Sequence, residues 1–575
     1  MFRKSSLTQQ LEIFSSPSSI LSEKSLRYYC DSHSWHNIFY KEVLMRIDES
    51  IFSPLFCENN GAPNASVRLL VGMMVLKEGF GWSDAQLFEE ARYNLLVRSA
   101  LGMKDLNDPV PAESTYYLLR KRIVDREKSE NENLLEQTFA SVTKGQVIDF
   151  DVRGKRIRMD SKLIGSNIAW YSRYEIIHET LKRAYTKHSF ATDMLSENEL
   201  QFLESIASEE GEKVIYRHTK EEVSSRIGIL GTLIYKILTI TGATENKDMQ
   251  LLQRVFDDQY TVEKNEEGVE GKESVEGVEV KEEVIPRPKA SISSKSVQSP
   301  HDTECHYRNK DDNKVKGYSD NLTETCDSEN KVNLIVNTQV EVVTHSDSDF
   351  LQPAVEKSQE ILTDKIEKIH ADGAYHSPEN QKFCGDNIAL ILSAIQGAQS
   401  QFDLFYSDDE VGIKVVDTQT GENMNVRKIV ARKDGGIRWV IKTAAGKYRY
   451  FIKENVETSL LRRSIAQIPQ SELNMRNNVE ATIFQLGQRY PNSKTRYRGL
   501  IKHKMWSNMR CLWVNYVRIS RYISGLSPKT AFLTLFNAFD DILQDIGREI
   551  YQILIRNVRP QKFLPPQKFL LCFFD

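Results

Sequence analysis

Residues 365–384, KIEKIHADGAYHSPENQKFC, constrain this chain more than any other stretch. A mixed run leads into Ile369, His370 and Ala371, and Asp372 is followed at once by Gly373. That order predicts a strand ending on a carboxylate, a tight glycine turn, and a helix starting near Ser377-Pro378. The strand fixes the aspartate's Cα and the turn keeps its oxygens open, which suits a divalent metal. Most strand-end aspartates merely cap the next helix, so Asp372 needs companions before it means anything.

Two more acids stand in matching settings. VIDFDVRGKRIRMDSK predicts a β-hairpin turning at Arg153-Gly154, with a β-branched, basic second strand ending at Met159-Asp160-Ser161. A helix follows from about Ala169 and carries Arg173. In SELNMRNNVEATIFQLGQRY, Val479, Ile483 and Leu486 share an apolar helix face, with Glu480 at its edge. Two strand aspartates and a helix glutamate outline a two-metal site. Mg²⁺ prefers oxygen ligands in octahedral geometry and keeps waters for substrate phosphate. Such ions serve the attacking and leaving oxygens of an in-line displacement at phosphorus.

Composition permits this chemistry. The 575 residues are 27% charged and 40% hydrophobic, enough for two or three domains. No run reads as the roughly 18–20 apolar residues of a membrane span, and MFRKSSLTQQLEIFSS lacks an apolar signal core, so a cytoplasmic location is expected. The seven cysteines are scattered without a CxxC pair, which suits a reducing compartment and gives no zinc knuckle. Net charge is −4, yet residues 261–284 hold nine acids and three lysines. Residues 476–522 hold ten Lys or Arg and one acid, a candidate DNA-tracking surface.

In order, residues 1–35 read as a flexible arm and 36–145 as an all-α domain. That domain is either a helical scaffold or a helix-turn-helix-like DNA reader with Arg120, Lys121 and Arg122 on a basic face. The Asp160 strand and a helical insertion occupy 146–260, and an acidic disordered linker 261–297. Residues 298–397 supply further strands, NLIVNTQVEVV among them, a helix (PAVEKSQEILTDKI), and the Asp372 strand. A β-rich insertion at 398–455 precedes the Glu480 helices at 456–526, and 527–575 form a helix and tail with PQKFL in tandem. The expected class is mixed, α+β or α/β, with an all-α N-terminal domain and both aspartates on strands of one sheet.

IRMDSKLIGSNIAWYSRYEII, SPHDTECHYRNK with KGYSDNLTETC, HADGAYHSPENQ, and MRNNVEATIFQLGQRYPNSKTRYRGLIKHKMWSNMRCLWVNYVRI together resemble bacterial insertion-sequence transposases of the DDE type. The stretch from WHNIFYKEVLMRI through GWSDAQLFEEARYNLLVRSALG resembles their helical N-terminal domain, so the resemblance spans most of residues 36–525. It implies a ribonuclease-H-like mixed-sheet catalytic core with Asp160, Asp372 and Glu480 as both catalytic and metal-binding triad for two Mg²⁺ ions, Mn²⁺ substituting. It implies double-stranded DNA partners (terminal inverted repeats and target), a homodimer in the synaptic complex, no membrane, and a nucleoid-associated bacterial enzyme.

In such enzymes the glutamate helix also carries a Tyr, an Arg and a Lys. Here Arg476 matches the Arg and carries over as a phosphate contact, whereas Leu473 and Gly487 stand at the other two places. Lys494, Arg496 and Arg498 are candidates for the missing charge, and Tyr375 and Arg173 for further DNA contacts. Trp506 and Trp513 read as core, His370 as pointing to the face opposite Asp372, and Asp302 and Asp386 as acids outside the triad. Two other functions fit the same residues: a catalytically silent, domesticated DNA-binding protein, and a structure-selective nuclease on the same core.

Overall fold

A computed structural model describes residues 2–4 and 16–525, apart from 58–62, 188–193, 243–244, 266–280, 311, 396–399, 408–411, 432–436 and 444. The expected terminal helix and tandem tail lie outside the described residues. The fold is mixed α+β, with a helical N-terminal region and a mixed sheet after it.

The helical region comprises α1 (Glu23–Cys30), α2 (Trp35–Glu42), α3 (Val67–Phe80), α4 (Asp84–Tyr93), α5 (Leu95–Ala100), α6 (Glu113–Glu130) and α7 (Leu134–Asp149). Its starts follow capping chemistry: Ser66 accepts from the Leu69 N–H, and Ser83 and Gln86 close a capping box. Helix α1, capped by Ser22, stands inside the segment expected to be a loose arm. The expected hairpin before Asp160 has only its second arm, because Val147–Asp149 complete α7. There Val147 is buried among the helices, and helical packing outweighs a β-branched local pattern.

Strand β1 (Arg156–Gly165) carries Asp160 and leads into α8 (Arg173–Lys187), α9 (Glu197–Ser208), α10 (Gly211–Arg217), α11 (Lys220–Thr241) and α12 (Lys247–Gln259). These helices form their own core around Leu230, Ile234 and Leu252. Contrary to the sequence reading, α11 is long and apolar enough to cross a membrane, with mean hydropathy 1.4. Here it packs against α8, α12 and β3, with Leu230, Leu233, Ile234 and Ile237 buried. The acidic linker is ordered at both ends: β2 (Tyr260–Asn265) pairs antiparallel with β3 (Lys281–Pro286). Tyr260 is buried and its hydroxyl donates to the Ile227 carbonyl in α11, an anchor that composition averages hide.

The sheet is completed by β4 (His306–Lys310), β5 (Asn313–Thr325), β6 (Ile335–Val342), β7 (Lys368–Ala371) and β8 (Ala389–Leu392). Helix α13 (Leu351–Ile361) precedes β7, and α14 (Pro378–Cys384) follows it. The order is β6–β5–β1–β7–β8, with β4 on the first residues of β5. Strands β6, β5 and β1 alternate in direction, and β7 and β8 run parallel to β1. Two small sheets follow, built from β9 (Phe402–Tyr406), β10 (Ile413–Asp417), β11 (Asn423–Met424), β12 (Lys428–Ala431), β13 (Ile437–Lys442) and β14 (Tyr448–Ile452). Three helices close the described chain: α15 (Lys453–Ala466), α16 (Gln470–Gly487) and α17 (Leu500–Ser524).

Helix α17 lies between the N-terminal helices and the sheet, and every residue from Met505 to Tyr516 is buried. The Trp513 ring lies so close to Gly79 that a Cβ there would stand 2.1 Å from it, so only glycine lets α3 and α17 meet. Trp506 and Trp513 are core, as read. Arg510, fully buried, donates to the carbonyls of Glu78 and Gly79 and to those of Gln485, Leu486 and Gln488. One guanidinium thus caps the C-terminal carbonyls of both α3 and α16. Part of the basic 476–522 run is therefore internal, against the expectation of a continuous DNA-tracking surface.

Candidate active site

Along β1 the even-numbered side chains face α16. Arg156 Nη1 lies 3.2 Å from Glu472, Arg158 Nη1 donates to the Met475 carbonyl, and Lys162 Nζ donates to the Ile483 carbonyl. Glu472 also meets Lys368 Nζ at 3.2 Å and His370 Nε2 at 3.6 Å. These contacts lay α16 parallel to β1, so residues one helical turn apart meet successive positions of the strand. His370 is fully buried on this α16-facing side, not the opposite one, because residues 370 and 372 are two apart on a strand. Burial pushes its imidazole down to about 4.

The last β1–β7 pair is Arg158 with His370, so Asp160 and Asp372 both lie just past the end of β7. They converge on one cation: Arg476 Nη2 is 3.3 Å from Asp160 Oδ2 and 3.8 Å from Asp372 Oδ2. Asp372 also accepts from the Gly373 N–H at 2.6 Å and from Ser393 Oγ at 3.2 Å, and the turn and helix after it form as read, with Ser377 as cap. Burial raises the Asp160 carboxyl; Arg476 and the Ser161 N–H oppose this, while Asp372 and Asp347 add to it. Burial outweighs the ion pair because Asp160 is the deeper of the two acids.

Glu480 lies one turn beyond Arg476 on α16 and is exposed, with no contact joining it to either aspartate. Among the described residues no group of three Asp, Glu, His or Cys side chains stands ready to hold a metal. The structure thus brings two of the three expected acids together, with the arginine between them. Hard carboxylate oxygens aimed at one cationic centre are the donors a divalent ion takes.

Of the expected DNA contacts, Arg476 is at the acid pair. Lys494, Arg496 and Arg498 lie on the loop between α16 and α17, where Lys494 bridges to Gly165 at the far end of β1. Five strand residues separate Gly165 from Asp160, roughly 17 Å. Lys494 Nζ donates to the Ile168 carbonyl, Arg498 Nε to the Asn167 carbonyl, and Arg496 is exposed. Two expectations fail on geometry. Tyr375 is buried with its hydroxyl donating to Asn321 Oδ1 at 2.5 Å, so it packs beneath the turn. Arg173 donates to the carbonyls of Gln259 and Arg287, tying α8 to the β2–β3 hairpin. Of the acids set aside, Asp302 is a buried acceptor for Ser166, Tyr318 and the Gly499 N–H, and Asp386 is exposed after α14.

Two residues escaped the sequence reading. Asp347 accepts from Ser161 Oγ at 2.7 Å and sits close enough for its charge to act on Asp160. The SDSD run ahead of α13 was its only signal. Lys162 fills the space beside Gly487: a Cβ at 487 would stand 2.0 Å from its Nζ. Its place two residues after Asp160 put it on the same strand face, a signal available from alternation alone.

Residues 30–122 match a family model described as a transposase domain (DUF772). No curated protein and no solved structure matches the chain. The matched segment covers α2 through most of α6 and supports an insertion-sequence transposase role in general terms.

Proposed function

We propose that this protein is a DDE-type DNA transposase that cuts and joins the ends of a mobile element at Asp160 and Asp372, with Glu480 as third acid. The observation that carries the reading is the convergence on the Arg476 guanidinium of Asp372, just past the end of β7, and Asp160, which sits mid-strand because β1 runs on to Gly165 and does not end at Asp160 as the sequence suggests. The transposase-domain match in the helical region and the mixed sheet that carries both aspartates lend it support.

Asp160 and Asp372 would hold Mg²⁺, which supplies a lowered-pKa water and charge neutralisation at the phosphate. Arg476 contacts a non-bridging phosphate oxygen and holds the scissile phosphorus against the carboxylates. Water attacks phosphorus at the element end, a P–O bond forms, and the bond to the 3′ oxygen breaks. That oxygen takes up a proton and becomes the free 3′ hydroxyl. In the joining step it loses its proton and attacks a target phosphodiester. The partners are double-stranded DNA at terminal inverted repeats and at the target, with a homodimer holding two ends.

The test is cleavage of a plasmid carrying the coding region with its own flanks, with and without Mg²⁺. Wild type cuts at the flanks only with metal, and Asp372→Asn does not cut while still binding them. Metal-dependent cutting by Asp372→Asn at the wild-type rate would remove Asp372 from the site. A second reading has its own observation: Glu480 stands apart from the aspartates, as a catalytically silent DNA-binding protein would allow. Flank binding without any cutting by wild type would favour it.

A further inference from the structure

We propose that the outer face of strands β13 and β14 binds single-stranded DNA by stacking bases on Tyr448 and Tyr450. The inference takes only the polymer, DNA, from the function proposed above.

Alternation divides this antiparallel sheet into two faces. Trp439, Ile441 and Phe451 are buried against Phe402, Leu404 and Val415 of the neighbouring small sheet. Arg438, Lys442, Tyr448 and Tyr450 belong to the other face, as the pairings of Val440 with Tyr450 and of Lys442 with Tyr448 require. The outward face of a half-buried sheet ordinarily carries small polar side chains and charges of both signs. Here two tyrosines stand on it 58% and 56% exposed, and no acid occurs in β13 or β14. Arg438 and Lys442 put two cations on the face that carries both tyrosines, so it complements a polyanion.

The Arg438 guanidinium lies 5.5 Å from the Tyr450 ring, so a cation already stands beside an aromatic platform. Tyr448 and Tyr450 are two residues apart on one strand, about 7 Å. That is twice the ~3.4 Å repeat of stacked bases, a spacing that suits an unstacked strand and not a duplex. Aromatic platforms flanked by phosphate-tracking cations are the means by which proteins hold single strands without reading sequence. The wall is separate from the Asp160–Asp372 pair in sequence and in sheet, so its loss leaves that pair's geometry intact.

The experiment uses the full chain and fluorescence anisotropy with a labelled oligothymidylate, an abasic oligomer of equal length, and a blunt duplex. The double variant Tyr448→Ala/Tyr450→Ala should weaken oligothymidylate binding at least tenfold, and Tyr448→Phe/Tyr450→Phe should retain it. The abasic oligomer should bind wild type and the alanine variant alike. Arg438→Gln/Lys442→Gln should flatten the salt slope for the oligothymidylate by about 1.4. Oligothymidylate binding by the alanine variant within twofold of wild type overturns the proposal, and so does a wild type that binds the duplex alone. If those results come with normal cutting at the flanks, the transposase reading survives and only this face is wrong. A wild type that binds no DNA sinks both.

Discussion

Glu324 is the buried charge on which the position of α16 depends. It lies on β5 directly opposite Arg158 and is fully buried. Oε1 accepts from Arg158 Nε at 2.6 Å; Oε2 accepts from Arg518 Nη1 at 2.6 Å and from Thr482 Oγ1 at 2.8 Å. Burial alone would raise its carboxyl, yet Arg518, Arg158 and Thr482 more than offset it and hold it low. Glu324→Gln keeps the shape and leaves two guanidiniums without their anion. Removing one partner of a buried ion pair costs about 3–5 kcal/mol. At 1.4 kcal/mol per factor of ten, opening of the neighbouring backbone should rise by roughly a hundredfold to a few thousandfold. The assay is native-state hydrogen exchange read on peptides from 470–487, which reports α16 without assuming that the whole chain unfolds in one step. Flank cutting should fall as well, because Arg476 stands on the same helix. The effect carries a pH signature. A depressed carboxyl contributes stability above the unfolded value near 4.5, lost as pH falls through the folded one. Less than a fivefold change in α16 exchange would refute the claim that this charge pins the helix.

Asp320 makes the opposite case: burial raises it from 3.8 to about 6, against its bonds to Ser507 and Thr338 and the charge of Lys162. A raised carboxyl gives stability that is complete below 3.8 and lost as pH rises through 6, about 3 kcal/mol for two pH units. Asp320→Asn should remove that dependence from the thermal midpoint between pH 4 and 6; identical profiles for variant and wild type would contradict it. Lys162 and Gly487 compete for one space, so Gly487→Lys should destabilise α16 and Lys162→Ala should weaken flank binding. The double variant Lys162→Ala/Gly487→Lys should restore binding by returning an ammonium to the same place. Failure of the pair to recover any of the loss would show that Lys162 serves Asp320 alone.

The parts of this protein legible in its sequence were those set by local chemistry. Ser66, Ser83 and Ser377 start helices because a hydroxyl meets an orphan N–H, whatever surrounds it. Asp372 before Gly373 marks a strand end for the same reason. Readings that failed needed knowledge of what lies across the chain. Val147–Asp149 have a strand's composition and α7's environment. The acidic run around Tyr260 is disordered on average composition, but one tyrosine anchored to α11 orders its edges. Tyr375 and Arg173 are candidates for DNA contact on local sequence, yet both meet backbone or side-chain partners from distant segments. Charge counts misled in the same way, since Arg510 and Arg518 add to a basic run while neutralising the interior.

Helix α16 ties these observations to the third acid. It is fixed near its start by Glu472 against Arg156 and Lys368, in its middle by Thr482 on Glu324, and at its end by Lys162 and Arg510. A helix held at three levels cannot slide or roll to bring a residue inward without breaking a buried charged contact. On the proposed mechanism Glu480 therefore joins the aspartates by turning its own side chain, on a backbone that stays in place. Arg476, one turn earlier and already between the carboxylates, is the group that must yield when a divalent ion takes that centre. Its guanidinium is then free for phosphate, so metal binding and substrate binding are coupled through one side chain. Arg476→Lys should uncouple them: a lysine keeps the charge but loses the planar fork, so Mg²⁺ titration of flank cutting should shift while salt dependence of flank binding stays near wild type. Equal shifts in both would mean that Arg476 acts on phosphate alone.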